Sequence, residues 1–288
     1  MVNRKKIEPF FYLLPAFIVM ATITVYPFIY NVLLSFHEWN LTTFRGKHFV
    51  GGQNYLGIFR NPDVWNSLRV TGIYLVTCVG FEFILGFAIA FLIHSEFRGK
   101  AIVRGLLLFP MIMCPVIAGL IWRWIFNAEW GLANYMVNLI GLSGKPWLVK
   151  PRLALFSVIL ADIWQWTPFI VLIVLAGLQA IPEELIEASE VDGASWWQVQ
   201  RYISLPTLKP VLLIGLLLRT IDGLRFVDKI FVMTYGGPGS ATSVFGLFAY
   251  IRGFKYFQMG RTAALSIILL AIIIFLANVF IRLFRGAR

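Results

Sequence analysis

The chain has 288 residues, of which 59% are hydrophobic and only 14% charged, with a formal net charge of +11. Soluble domains carry roughly a quarter of charged residues, so this balance argues against a soluble globular protein and for a polytopic membrane protein. The positive charge comes without a long Lys/Arg run or a basic domain, which argues against nucleic acid and for cationic loops facing anionic lipid.

Six segments are long and apolar enough to cross a bilayer, which takes about 20 such residues. The first runs from Phe10 to Phe36 without a charge. It follows a basic Asn3-Arg4-Lys5-Lys6 start, but it is too long for a signal peptide and no small-residue cleavage site follows, so it is expected to remain as a span. The second covers Leu68–Ile93 and contains Glu82; the third covers Ala101–Trp124. The fourth, Leu153–Gln179, contains Asp162. The fifth, Pro210–Val232, carries Arg219, Asp222, Arg225 and Asp228, and the sixth, Thr262–Ile281, is again uncharged. The clearest basic clusters are Arg4–Lys6, Arg98–Arg104 and Arg282–Arg288, which puts both termini in the cytoplasm. Loops 37–67, 125–152 and 233–261 then lie outside. The expected architecture is all-α and polytopic. Residues 1–67 form a first helix with its outer loop, and 68–288 a five-helix core that includes a cytoplasmic loop at 181–209.

That loop is conspicuously polar. Ile181-Pro182-Glu183-Glu184 is a helix-start signal, with proline at the first position and acids in the first turn. A short helix from Pro182 to Val191 is predicted, stopped by Gly193 through a cap or a positive-φ bend. A second stretch, Ala194–Ile203, is predicted to end before Pro206, with Pro206 and Pro210 starting span five. Trp196 and Trp197 suit the headgroup layer. On physical grounds alone, an ordinary amphipathic loop resting on the membrane accounts for these features equally well.

Residue order separates the readings. Glu187-Ala188-Ser189, three residues, Gly193, nine residues, Ile203, one residue and Leu205-Pro206 form a seven-position pattern at fixed spacing. It resembles the EAA signature of ABC importer permeases, with Ser189 where alanine is usual. The resemblance to the sugar-type permeases, the group that includes the maltose and glycerol-3-phosphate permeases, covers nearly the whole chain. It takes in Phe49-Val50-Gly51, Asn54-Tyr55, Gly177-Leu178-Gln179, and Thr234 with Gly236-Gly237-Pro238 and Thr242. The resemblance implies that the loop docks on a separate ATP-hydrolysing subunit. Glu187, Ala188, Ser189, Asp192, Gly193, Ile203, Leu205 and Pro206 are then the coupling residues. It also implies a second homologous permease as heterodimer partner, a dimer of ATP-binding subunits carrying ATP and Mg2+, an external or periplasmic solute-binding protein, and the cytoplasmic membrane of a bacterium or archaeon as location. No cofactor is expected in this chain itself.

Charges at membrane depth are functional candidates. Asp162, Trp166 and Phe169 share one helical stripe on span four; Arg219, Asp222, Gly223 and Phe226 share one on span five. Carboxylates accept hydroxyl hydrogen bonds and aromatic faces stack on sugar rings, so two such stripes suit a midplane site for a polyhydroxylated ligand. Internal pairing of the same charges is the competing account, and Glu82 is a third acid that either faces the cavity or answers an arginine. Arg219 leaves an anionic substrate open.

Catalytic signals are missing. Only three histidines occur, His37, His48 and His94, with no HExxH and no metal-spaced cluster; Cys78 and Cys114 both lie in apolar segments. The Gly-rich Tyr235–Ser240 lacks the Gly-Lys-Ser/Thr ending of a phosphate loop. The expectation is a non-catalytic transport subunit; the alternative is a self-sufficient secondary carrier or channel, which leaves the EAA pattern unexplained.

Overall fold

A computed structural model describes residues 4–43, 46–95, 97–225 and 227–285. Among the described residues the regular structure is helical apart from one two-stranded antiparallel pair. In order the elements are α1 (Arg4–Met20), a π turn (Ala21–Val25), α2 (Tyr26–Ser35), β1 (His37–Glu38), β2 (His48–Phe49) and α3 (Gln53–Phe59). Then come α4 (Pro62–His94), α5 (Lys100–Ile112), α6 (Pro115–Ile125), α7 (Leu132–Leu139) and α8 (Pro151–Gln179). The remainder is α9 (Glu183–Val191), α10 (Trp196–Val199), a second π turn (Gln200–Ser204), α11 (Leu205–Arg225), α12 (Asp228–Thr234), α13 (Phe245–Phe254) and α14 (Met259–Arg285). Five segments meet the length and apolarity of a membrane span: Tyr12–Ser35, Pro62–His94, Pro151–Gln179, Trp196–Arg225 and Met259–Leu283. The pair α5 and α6, bent by 97°, makes a sixth.

The third span expected over 101–124 is thus broken in its middle, and proline causes the bend. Met113 (φ −68°, ψ 139°) and Cys114 (φ −57°, ψ 132°) are extended. The ring of Pro115 drives the residue before it out of the helical region. Pro115 then occupies the first turn of α6, where a missing N–H costs nothing.

The fifth span is also displaced, from the expected 210–232 to 196–225. The second loop helix does not stop before Pro206 as predicted; it runs through the π turn straight into α11. Proline clashes with the carbonyl four residues earlier. For Pro206 that carbonyl belongs to Tyr202, inside the wider π turn, and for Pro27 it belongs to Ile23, inside the first π turn. Local π geometry thus lets both helices continue past a proline.

Two compact units emerge. One comprises residues 1–64 and 249–271, the other 65–248 and 272–288. In the first, Asn54 Nδ2 donates to the carbonyls of Ser35 and His37, at 2.9 Å each, and the Tyr55 hydroxyl meets Ser35 Oγ at 2.7 Å. The Asn54-Tyr55 pair therefore satisfies orphan groups at the C-terminal end of α2. In the second, α8 is the axis: 67% of its apolar window is buried, against 6% for the first span. Its core gathers Ala90 and Ile93 from α4, Ile170, Val171, Val174, Leu175 and Leu178 from α8, and Leu208 from α11. Glycine permits the close approach that membrane helices need without a hydrophobic drive. A Cβ on Gly86 would stand 2.6 Å from Ile170 Cγ2, and one on Gly177 would overlap Leu208 Cδ2.

Candidate functional site: a buried charge knot and an exposed two-helix loop

Four charges on four helices meet inside the second unit. Arg219 of α11 donates from Nε to Glu82 Oε2 of α4 at 2.7 Å, and from Nη2 to Glu82 Oε1 at 2.8 Å. Nη2 also pairs with Asp162 Oδ2 of α8. Lys229 Nζ of α12 donates to Asp162 Oδ1 at 2.8 Å. All four side chains are 0–1% exposed. Two cations and two carboxylates cancel, which is how such groups are tolerated in a non-polar interior. Removing one partner from a buried pair of this kind costs about 3–5 kcal/mol, because the other is stranded.

The stripes foreseen on spans four and five meet here. The Arg219 guanidinium lies 5.3 Å from the Trp166 ring centre, and Trp166 meets Phe169 edge to face at 6.3 Å. Both rings are half-buried. Gly223 is a packing position: a Cβ there would come within 2.6 Å of Leu75 Cδ2. Phe226 lies outside the described residues.

Asp222 stands apart. Its side chain is 47% exposed, and its Oδ2 sits 3.8 Å from Arg219 Nη1. Neither atom makes a hydrogen bond among the described residues. The gap is too wide for a direct bond. A buried donor and a buried acceptor thus face each other at the edge of the knot, beside the Trp166 ring.

Lys229 escaped the sequence reading, obscured by its position at the end of the apolar run taken as span five. Gln165 of α8 donates from Nε2 to the Met113 carbonyl at 2.9 Å. It satisfies an oxygen freed by the α5–α6 break, as irregular backbone at membrane depth requires. Beyond the break, Arg123 Nη1 donates to the Val232 carbonyl at 3.1 Å, so its head bonds α12. A Cβ on Gly119 would lie 3.4 Å from the backbone of Lys229; α6 therefore rests directly on α12.

The loop at 181–209 is the opposite kind of structure. α9 ends in a Schellman motif: Ala194 N–H donates to the Ser189 carbonyl at 2.9 Å and Gly193 N–H to that of Glu190 at 3.0 Å, with Gly193 at φ +77°. Two residues later a capping box starts α10, in which Ser195 N–H donates to Gln198 Oε1 at 2.7 Å. Glycine and serine thus set a sharp, hydrogen-bonded corner. Glu187, Ala188, Asp192, Gly193, Leu205 and Pro206 are exposed; Ser189 and Ile203 are half-buried. Ser189 Oγ donates to the Ile186 carbonyl at 2.7 Å, so serine in the alanine position bonds back into its own helix. Large apolar side chains stand out from the same loop: Val191 is 89% exposed and Trp197 75%.

Residues 82–287 match the family described as binding-protein-dependent transport system inner membrane component. The chain belongs to that family. This permease is 38% identical over 276 residues to a probable ABC transporter permease of Sinorhizobium fredii, covering 95% of this chain and 89% of that protein. It is 36% identical over 279 residues to the trehalose/maltose transport system permease of Thermococcus litoralis, covering 96% and 93%. It is 34% identical over 279 residues to the sulfoquinovosyl glycerol transport system permease of Agrobacterium fabrum, covering 95% and 89%. In fold it is similar to a chain of a bacterial ABC transporter for the acidic polysaccharide alginate, with a TM-score of 0.85, 20% identity and 98% coverage of both chains. The permease is therefore a multi-pass membrane subunit of an ABC importer.

Proposed function

We propose that this permease pairs with a second, homologous permease to form the path for a neutral sugar or polyol, and that it is itself non-catalytic. ATP with Mg2+ is bound and hydrolysed on a dimer of separate subunits. A solute-binding protein delivers substrate to the outer face, and both termini lie in the cytoplasm. Residues 1–67 are read as an addition to the five-helix core 68–288.

The exposed two-helix loop carries this reading. Val191 and Trp197 are exposed beside the exposed acids of α9, on a loop that carries the seven-position pattern, and aromatic anchors rimmed by polar groups are what a partner's groove accepts. Glu187 is the acid offered to the ATPase, Gly193 shapes the corner, and Ile203, Leu205 and Pro206 join the corner to span five.

Asp162, Glu82, Trp166, Phe169, Arg219, Asp222, Gly223 and Phe226 are the candidates for the substrate path. Within that set the roles divide. Glu82, Asp162 and Arg219 hold the wall together, and Asp222 with the Trp166 and Phe169 rings offers the polar and stacking surface. Both buried cations are already paired with carboxylates, which leaves no cation in the knot to recruit an anion and favours an uncharged, hydroxylated ligand. The relatives named for trehalose and maltose support the sugar class.

The test is reconstitution of the permease in proteoliposomes with its co-purifying permease and ATPase subunits and a binding protein. ATP-dependent uptake of labelled trehalose or maltose is expected. Uptake that proceeds without the ATPase subunits would overturn the assignment.

A further inference from the structure

A second polar feature sits far from the knot, where α5 meets the end of α8. Arg104, Leu107 and Leu108 of α5 face Val171, Leu172, Leu175, Ala176 and Gln179 of α8 across a cavity of about 170 Å3, closed on one side by Ile93. The lining has a gradient. Arg104 is one turn into α5 and Gln179 is the last residue of α8, so both polar groups stand at the end where the two helices emerge. Leu108, Val171 and Leu172 lie deeper and are apolar.

Arg104 is only half-buried, yet its Nε is buried and makes no hydrogen bond. A guanidinium N–H left without an acceptor in such a place is expensive. No described carboxylate lines the cavity. Arg98 is exposed nearby, and Lys100, whose Nζ donates to the His94 carbonyl at 2.9 Å, opens the helix. The outer face of α5 is meanwhile bare and apolar, with Ile102 70%, Leu106 72% and Ile112 77% exposed.

A cationic head over an apolar cleft, on a helix whose other face is bare and apolar, matches one ligand chemistry: a phosphate ester attached to an acyl chain. Basic pockets between spans at the cytoplasmic surface hold anionic headgroups, and Arg presents a planar donor fork suited to phosphate. We infer that the α5–α8 cleft binds one anionic phospholipid, with Arg104 on the phosphate and the neck of an acyl chain against Leu108, Leu172 and Ala176. The bound lipid supplies the acceptor that Arg104 Nε lacks. It also wedges α5 against α8 below the 97° break, on the one span that is not a continuous helix.

The test is native mass spectrometry of the full-length chain released from detergent, titrated with phosphatidylglycerol, with phosphatidylcholine of the same acyl chains, and with inorganic phosphate. One phosphatidylglycerol is expected to stay bound at collision energies that strip the others, with phosphatidylcholine at least tenfold weaker and phosphate not retained. Arg104→Gln should weaken phosphatidylglycerol about tenfold, the scale of one charge-assisted contact of about 1.4 kcal/mol. Arg282→Gln, also an exposed basic site, should change nothing. Ala176→Phe fills the cleft with Arg104 in place and should abolish retention; it decides the matter if Arg104→Gln does not fold. Equal binding of the two lipids, retention of phosphate alone, or unaltered binding in the Ala176→Phe variant would each overturn the proposal. So would a dimer of this chain that excludes the lipid.

Discussion

Glu82, Asp162, Arg219 and Lys229 are sealed in the bundle with each carboxylate meeting a cation. Glu183, Glu184, Glu187, Glu190 and Asp192 stand exposed on α9 and its cap, and no ion pair among the described residues involves them. Both regions concentrate charge in an apolar chain, but their energetics run in opposite directions. Inside, a charge is stable only with its partner, so the four helices that supply partners are tied together. On the loop, water solvates each acid at no cost to the fold, which leaves the group available to another protein. Burial and pairing mark the scaffold; exposure without pairing marks the working surface.

The sharpest way to break this contrast is to remove Arg219. Arg219→Ala strands Glu82 and Asp162 and should cost about 3–5 kcal/mol, seen as loss of folded protein in detergent extraction and melting. Arg219→Lys, with no fork to bridge two acids, should fall between. A stable, transport-competent alanine variant would show that the knot does not hold the helices. Charge reversal on the loop should do the reverse. Glu187→Lys is expected to insert and melt as the parent does, within about 0.5 kcal/mol, while uptake collapses and ATP hydrolysis no longer responds to the binding protein. Normal ATP-driven uptake by that variant would sink the coupling role.

Smaller effects sharpen the same comparison. Gly193→Ala puts a Cβ on a residue at φ +77°, a penalty of about 1–2 kcal/mol confined to the loop. Transport should drop several-fold with an unchanged melting temperature of the bundle. Asp222→Asn is the mildest. The half-exposed carboxylate stands 3.8 Å from Arg219 Nη1, beyond hydrogen-bond reach, so stability should hold while the KM for uptake rises a few-fold. An unchanged KM would remove Asp222 from the substrate path.

How far the sequence reveals these features follows from what each depends on. The spans were legible because a bilayer demands an apolar stretch of fixed length, whatever the tertiary contacts. The corner at Gly193 was legible because caps are local, and seven fixed positions gave the loop its likeness to a family. The bend at Met113–Cys114 was not, since hydropathy averaged over 101–124 hides two extended residues before Pro115. The continuity past Pro206 was missed because proline ordinarily stops a helix, and nothing local announces the π turn that spares it. Lys229 was missed for a different reason. Its partner Asp162 is 67 residues earlier, and only folding brings them together.

That continuity has a mechanical consequence. From Trp196 to Arg225 the backbone is one helical rod of 30 residues, about 45 Å at 1.5 Å per residue. It has the loop's tryptophans at one end and Arg219 close to the other. On the far side of the corner, α9 is separated from α8 by the non-helical Ile181-Pro182 step. One arm of the loop is therefore set off by a non-helical step, and the other is continuous, with the π turn and Pro206 and Pro210 as its bending points. On the coupling role proposed above, a displacement at Trp196 and Trp197 would reach Glu82 and Asp162 along this one helix.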